Sequence, residues 1–200
     1  MNKMKFKYYQ EIRIFPDCEL GEREIGEVLF SLLHLEFVKN KGEDGNSRYA
    51  ISFPEFSKGS MKTFGRVFRI FSIDVETLQT LNIPTICQRL DGYVEFSEIL
   101  KTPIVSNYLR FFRVQDKTSV DRLARRMARR KGISFNEAKD EYKSFKPLKL
   151  RESQFPYFFI KSLSTNQNFR LVINCVEESY EKDLPFNLYG LSMGGNVPNF

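Results

Sequence analysis

Apolar residues recur with two different periods along the first half of the chain. Residues 5–15 carry aromatic and β-branched side chains and stop at Pro16, which predicts a strand. Between Glu22 and Lys41, the residues Ile25, Val28, Leu29, Leu32, Leu33 and Leu35 fall on one side of a helix at about 100° per residue. That stripe suits a helix packed on a sheet. A turn-rich run at residues 41–47 leads into predicted strands at Arg48–Phe53 and Phe64–Phe71. Asp74 caps a second helix that reaches to about Leu81 and is bounded by Pro84; Tyr93–Phe96 closes the set. Strand, helix, strand, strand, helix, strand is the ferredoxin-like order, so the expected fold class is α+β, with a ferredoxin-like domain over residues 1–100. So common a fold specifies no function.

Residues 101–200 have a different texture. After an extended stretch, Ile104–Gln115, Ser119 caps a helix over about 119–131, with Asp121 in the first turn, where a negative charge suits the dipole, and Gly132 as the stop. Ser134 and Glu137 have the spacing of a capping box, which starts a further helix expected to run to about Lys143, before Pro147. Strands follow near Phe155–Ser162 and Phe169–Cys175, and the glycine-rich segment from Leu188 to Phe200 reads as a loop against a terminal strand.

The helix at 119–131 changes the picture. Taking Arg122 as 0°, Arg125, Arg126, Arg129 and Arg130 fall at about 300°, 40°, 340° and 80°, a single ridge within roughly 140°. A solvated helix face would interleave acids three or four positions away, and only Asp121 is available, at one end. The opposite side offers Leu123, Ala124, Met127 and Ala128 as anchors. Residues 101–131 hold ten Lys and Arg against Asp116 and Asp121, a surplus of eight in a chain of net charge +6, so the remainder is about two units acidic. Charge so concentrated predicts one anionic partner met in one place, and arginine forks match phosphates and the guanine Hoogsteen edge. Charge does not choose RNA over DNA. Continuous A-form RNA has a major groove too narrow for side chains to read, so an RNA target would be a short stem or the end of one.

Other features exclude more than they assign. The 200 residues, 42% hydrophobic with 20 Phe, suffice for a packed core. No apolar run is long enough to span a membrane and the first residues do not resemble a signal segment, so the chain reads as cytoplasmic. Cys18, Cys87 and Cys175 make neither a disulfide framework nor a zinc motif and are expected to be buried apolar side chains. His34, the one histidine, lies about 180° from Ile25 on its helix, and a regular helix keeps it out of the core. With a reference pKa of ~6.5 it suits a general base, although lone histidines are often structural. The run Ser162–Phe169 has the hydroxyls and amides of an ordinary turn; Phe169 is either core or a surface for a base to stack on. Glu137, Asp140 and Glu141 lie within one helical turn, but the expected metal set is none.

Five motifs in order then resemble a known family. They are Leu29-Phe30-Ser31-Leu32-Leu33-His34; Ile51-Ser52-Phe53-Pro54; Arg113-Val114-Gln115 followed by Arg122-Leu123-Ala124-Arg125-Arg126-Met127-Ala128-Arg129-Arg130; Ser162-Leu163-Ser164-Thr165-Asn166-Gln167-Asn168-Phe169-Arg170; and Tyr189-Gly190-Leu191-Ser192-Met193-Gly194-Gly195 with Val197, Pro198 and Phe200. The chain resembles the type I-F CRISPR-associated endoribonucleases that cut the repeat hairpins of precursor CRISPR RNA. The resemblance implies a ferredoxin-like domain followed by an RNA-binding region, 101–200, whose arginine helix enters the hairpin's major groove. It implies that His34 is the general base and that Ser162 holds the attacking ribose 2′-hydroxyl. The products are then a 2′,3′-cyclic phosphate and a free 5′-hydroxyl, with no cofactor and no metal. By the same resemblance Arg113 and Gln115 read base edges low in the stem, Phe169 stacks beneath the last base pair, and Tyr189 supports His34, with Ser164 and Thr165 beside Ser162. The implied partners are the CRISPR repeat RNA hairpin and other subunits of a CRISPR surveillance complex. The alternative is a non-catalytic hairpin-binding subunit of a CRISPR ribonucleoprotein. Two departures stand out: Asn166 occupies a position that is glycine in the family pattern, and residues 133–155 match it poorly.

Overall fold

Gln10, Ile12 and Ile14 alternate inward along β1 (Tyr8–Ile14), as a period of two requires of a half-buried strand. The structure is a computed structural model that describes residues 5–16, 19–114, 120–142, 154–161 and 166–200. Among them, α1 (Glu22–Lys39) follows β1, and then β2 (Ala50–Ser52), β3 (Val67–Ser72) and α2 (Val75–Leu81). Asp74 caps α2 as its sequence position predicts, its carboxylate accepting the Thr77 N–H at 2.7 Å. A short α3 (Ile83–Cys87), β4 (Val94–Phe96) and β5 (Leu100–Lys101) complete this half.

The first sheet has the order β2-β3-β1-β4, with β5 also paired to β1. Its neighbours are antiparallel, Tyr8 facing Ser72 and Arg13 facing Val67 between β1 and β3. All six residues of β3 are buried, Arg69 included. That guanidinium is neutralised by Glu11 at 2.7 Å, donates to the Phe200 carbonyl at 2.8 Å and lies 3.8 Å from the centre of the Phe200 ring. The second sheet contains β6 (Tyr108–Val114), β7 (Tyr157–Lys161), β8 (Asn168–Glu178) and β9 (Val197–Pro198) in the order β7-β8-β6-β9. Two helices, α4 (Val120–Lys131) and α5 (Phe135–Asp140), lie between β6 and β7 in sequence. The fold is α+β, as the pattern predicts. No helix among the described residues is long and apolar enough to cross a membrane.

The chain divides into two compact units, residues 1–113 with 153–200 and residues 114–152. Within the first, phenylalanines join the two sheets. Phe158 of β7 is 1% exposed, and its ring centre lies 3.9 Å from that of Phe64, 4.8 Å from Phe30 on α1 and 5.9 Å from Phe53. Phe53 in turn meets Phe111 of β6 edge-on at 5.5 Å. Offset and edge-on rings at these separations add attraction beyond the area they bury. Cys87 and Cys175 are buried thiols, pushed by desolvation to about 11 and about 12, so they are inert at neutral pH; Cys18 lies outside the described residues.

Because Phe158 touches both sheets and α1, Phe158→Ala is expected to cost ~3–5 kcal/mol through the cavity it leaves. Urea unfolding checks this: the midpoint falls with the slope unchanged.

Candidate functional site

The buried residues of α1 are Ile25, Gly26, Leu29, Phe30, Leu33 and Phe37. At about 100° per residue these centre roughly 80° round from Ile25, turned away from Val28, Leu32 and Leu35. The expected stripe was therefore displaced: Val28 is 48% exposed, and phenylalanines occupy the face opposite it. The shift also moves His34. It stands at the margin of the buried face, about 100° from its centre, and is half-buried because the C-terminal segment covers it.

That cover has definite chemistry. His34 Nδ1 lies 2.8 Å from the Leu188 carbonyl. A carbonyl only accepts, so Nδ1 carries the proton and donates it, leaving the Nε2 lone pair free. The Tyr189 ring stacks on the imidazole with centres 4.0 Å apart and planes 15° from parallel, and Phe30 lies beyond Tyr189 at 6.1 Å and 6°. Burial lowers the His34 pKa below its ordinary value, and the bond to Leu188 only partly offsets this. His34 is therefore a neutral base near pH 7. Burial likewise raises the Tyr189 phenol, opposed by the nearby charge of Arg113.

Leu188 and Tyr189 reach α1 because the next residue is glycine. Gly190 has φ +70, and a Cβ there would come within 2.8 Å of Phe37 and 3.3 Å of Ile51. Its carbonyl accepts the Ile51 N–H at 3.0 Å, which fastens the turn to the edge strand β2. Arg113, at the end of β6, lies over the Phe169 ring of β8 at 5.2 Å. Phe169 is half-buried and packs against the core. His34, Tyr189, Arg113 and Phe169 thus belong to one unit, delivered by α1, the C-terminal turn, β6 and β8. Ser162, Ser164, Thr165 and Gln115 lie outside the described residues. Asn166, beside the serine run, has φ +54, a left-handed conformation that glycine takes freely and Asn tolerates better than other side chains.

The unit of residues 114–152 carries the arginine helix. Arg122, Arg125, Arg126, Arg129 and Arg130 are all exposed on α4, and Ala124 is its buried residue. Helix α5 packs on it through Ala138, begins with the predicted capping box at Ser134 and Glu137, and offers Lys139 to Asp121 at 2.9 Å. Asp121 is therefore engaged by α5, and among the described residues no ion pair joins any of the five arginines to a carboxylate. Gly132, at φ +68, ends α4, with the Ile133 N–H returning to the Ala128 carbonyl at 3.2 Å. Ser119, the expected cap, lies outside the described residues. Arg110, counted in the basic stretch, belongs elsewhere: it pairs with Glu178 at 3.0 Å. Glu137 is occupied by its capping box, and among the described residues no cluster of three potential ligands is placed to hold a metal.

Residues 9–200 match the family model described as CRISPR-associated protein (Cas_Csy4). The chain belongs to this family. A CRISPR-associated endonuclease Cas6/Csy4 of Pseudomonas aeruginosa (strain UCBPP-PA14) is 32% identical over 195 residues, 96% of this chain and 99% of that protein. Another of the same description, from Escherichia coli (strain UTI89 / UPEC), is 26% identical over 196 residues, again 96% and 99%. A solved Cas6 product complex aligns over 98% of this chain and 100% of that chain at 9% identity and a TM-score of 0.30, too distant to bear on the fold.

Within this Cas_Csy4 chain, sequence reasoning missed the Leu188 carbonyl and Phe30. A backbone carbonyl leaves no signature in side-chain pattern, and Phe30 reads as one more apolar residue. NMR titration of the free protein is expected to place the His34 midpoint below 6.5, and Tyr189→Ala to raise it by returning water to the ring. Neutral His34 favours the fold fully above the unfolded pKa of ~6.5, and that contribution is lost as pH falls through the lower folded value.

Proposed function

We propose that this CRISPR RNA-processing endoribonuclease binds the stem-loop of its repeat RNA and cleaves at the 3′ base of the stem without a metal, retaining the mature guide. The neutral His34 with a free Nε2, held by Leu188 and Tyr189, is the observation that carries the reading. Nε2 takes the proton of a ribose 2′-hydroxyl held by Ser162. The 2′-oxygen bonds to the adjacent phosphorus, and the bond to the 5′-oxygen breaks. The departing 5′-oxygen takes a proton from water, so a 2′,3′-cyclic phosphate and a 5′-hydroxyl result, and His34 later returns its proton to solvent. Such an internal nucleophile needs a base and alignment rather than a metal-bound water.

The remaining roles follow the same scheme. Arg122, Arg125, Arg126, Arg129 and Arg130, exposed and without carboxylate partners among the described residues, contact the hairpin's phosphates and guanines. Arg113 and Gln115 read bases low in the stem, and Phe169 receives the last pair, with Ser164, Thr165 and Tyr189 in support. The order β2-β3-β1-β4 with α1 and α2 supports a ferredoxin-like N-terminal domain, the region after residue 100 supplying most of the RNA contacts. The enzyme works in the cytoplasm, where it joins other subunits of a surveillance complex through the guide it keeps.

His34→Ala is expected to reduce single-turnover cleavage of a repeat hairpin in EDTA by ~10²–10⁴-fold with hairpin affinity retained. Undiminished cutting removes His34 from the mechanism. Arg126→Ala combined with Arg129→Ala is expected to weaken binding and to flatten the slope of log affinity against log salt by roughly 1.4–1.8. An unchanged slope in a filter-binding salt series rules out those phosphate contacts.

A further inference from the structure

We infer that Asn187 is a positioning residue for the cleavage reaction, its side-chain oxygen fixing the turn that presents the Leu188 carbonyl and the Tyr189 ring to His34. The inference rests on the reading of His34 as the base. Asn187 Oδ1 accepts two main-chain N–H groups, from Tyr189 at 2.9 Å and from Leu191 at 3.2 Å. The backbone closes the same turn on its own account: Asn187 N–H donates to the Leu191 carbonyl at 2.8 Å, and Gly190 N–H to the Asn187 carbonyl at 2.8 Å. On either side the flanking residues Phe186 and Ser192 bridge, and Ser47 N–H holds the Phe186 carbonyl at 3.0 Å.

These bonds divide the work. Main-chain contacts keep the turn in place at its two ends and at Gly190, whereas among the hydrogen bonds described the stretch between Asn187 and Gly190 is tied to the rest of the turn by Oδ1 alone, its other bond being the one the Leu188 carbonyl accepts from His34. That stretch is Leu188 and Tyr189, the two residues that touch the imidazole. An acceptor on a short side chain is needed to reach N–H groups two and four residues on, a requirement that Asn and Asp meet. Without it the Tyr189 N–H in a half-buried turn loses its acceptor, and the turn relaxes to satisfy it. If Leu188 turns away, nothing requires the proton to stay on Nδ1. Nε2 is then protonated in part of the population and cannot accept the 2′-hydroxyl proton.

The test uses full-length chain labelled with nitrogen-15, a repeat-derived hairpin RNA, and the same RNA with a 2′-deoxy residue at the cleavage position for affinity. Long-range proton–nitrogen correlation at about pH 8 reads the His34 tautomer in the free protein, where the ring is neutral. Wild type is expected to show protonated Nδ1. Asn187→Ala is expected to give a mixture of tautomers and to slow single-turnover cleavage at saturating RNA by ~10–100-fold, with the 2′-deoxy hairpin bound as tightly as before. Asn187→Asp, which keeps the acceptor, is expected to restore both the tautomer and most of the rate. A wild-type tautomer and rate in Asn187→Ala would overturn the proposal. So would an Asn187→Asp protein that behaves like Asn187→Ala, and this comparison decides the matter should the alanine variant fail to fold. If instead His34→Ala cuts normally while Asn187→Ala still scrambles the tautomer, the assigned base is wrong and the positioning contact stands.

Discussion

The main chain at Gly190 passes Phe37 and Ile51 so closely that even a methyl group would meet them at 2.8 Å and 3.3 Å. This passage brings residues near the C-terminus onto a helix that begins at Glu22. Phe186 packs its ring on Phe6 at 5.4 Å just before the turn, and β9 pairs with β6 just after it. Between those anchors the Leu188 carbonyl meets the Nδ1 of His34. A bond across 154 positions of sequence thus decides the protonation of the ring.

The same closure extends the core to the site. Ring contacts run from Phe158 to Phe30 at 4.8 Å, from Phe30 to Tyr189 at 6.1 Å and from Tyr189 to His34 at 4.0 Å. Each ring has few orientations open to it, since close-packed interiors leave little slack. The imidazole is therefore braced in its plane by packing and aimed by a hydrogen bond, which is how a general base gains from alignment without tight contacts to solvent-exposed loops. Burial that braces the ring also lowers its pKa, so rigidity and neutrality have one cause.

The proposed RNA contacts have a separate seat. The arginine ridge lies on α4, a helix held by small residues against α5, and among the described residues no carboxylate pairs with it, at some cost in local repulsion. Aligning a base requires a dense core; meeting a phosphate backbone requires exposed, unpaired guanidiniums. The two demands conflict in one element, and the proposed base and the proposed phosphate contacts lie on different ones.

Much of this was legible from residue pattern. The elements fell near their expected bounds because alternation, caps and glycine stops act within a few residues: Asp74 caps α2, Ser134 and Glu137 close their box, and Gly132 ends α4. The arginine ridge was legible for the same reason, since a helix places residues by a fixed angle. The stripe on α1 was not. Periodicity alone admits both Val28 and Phe30 to an apolar face, and only Phe53, just after β2, and Phe158 of β7, which meet Phe30, with Tyr49, which stacks on Phe37, select the side that is buried. His34 moved with that choice, from outside the core to its margin. Sequence by itself determined the local elements, the clustered charge and the presence of one suitable base. Tertiary structure decided the tautomer of that base, its depressed pKa and its company of Tyr189, Arg113 and Phe169, because each depends on groups that are distant along the chain and, in the case of the Leu188 carbonyl, on an atom that every residue possesses.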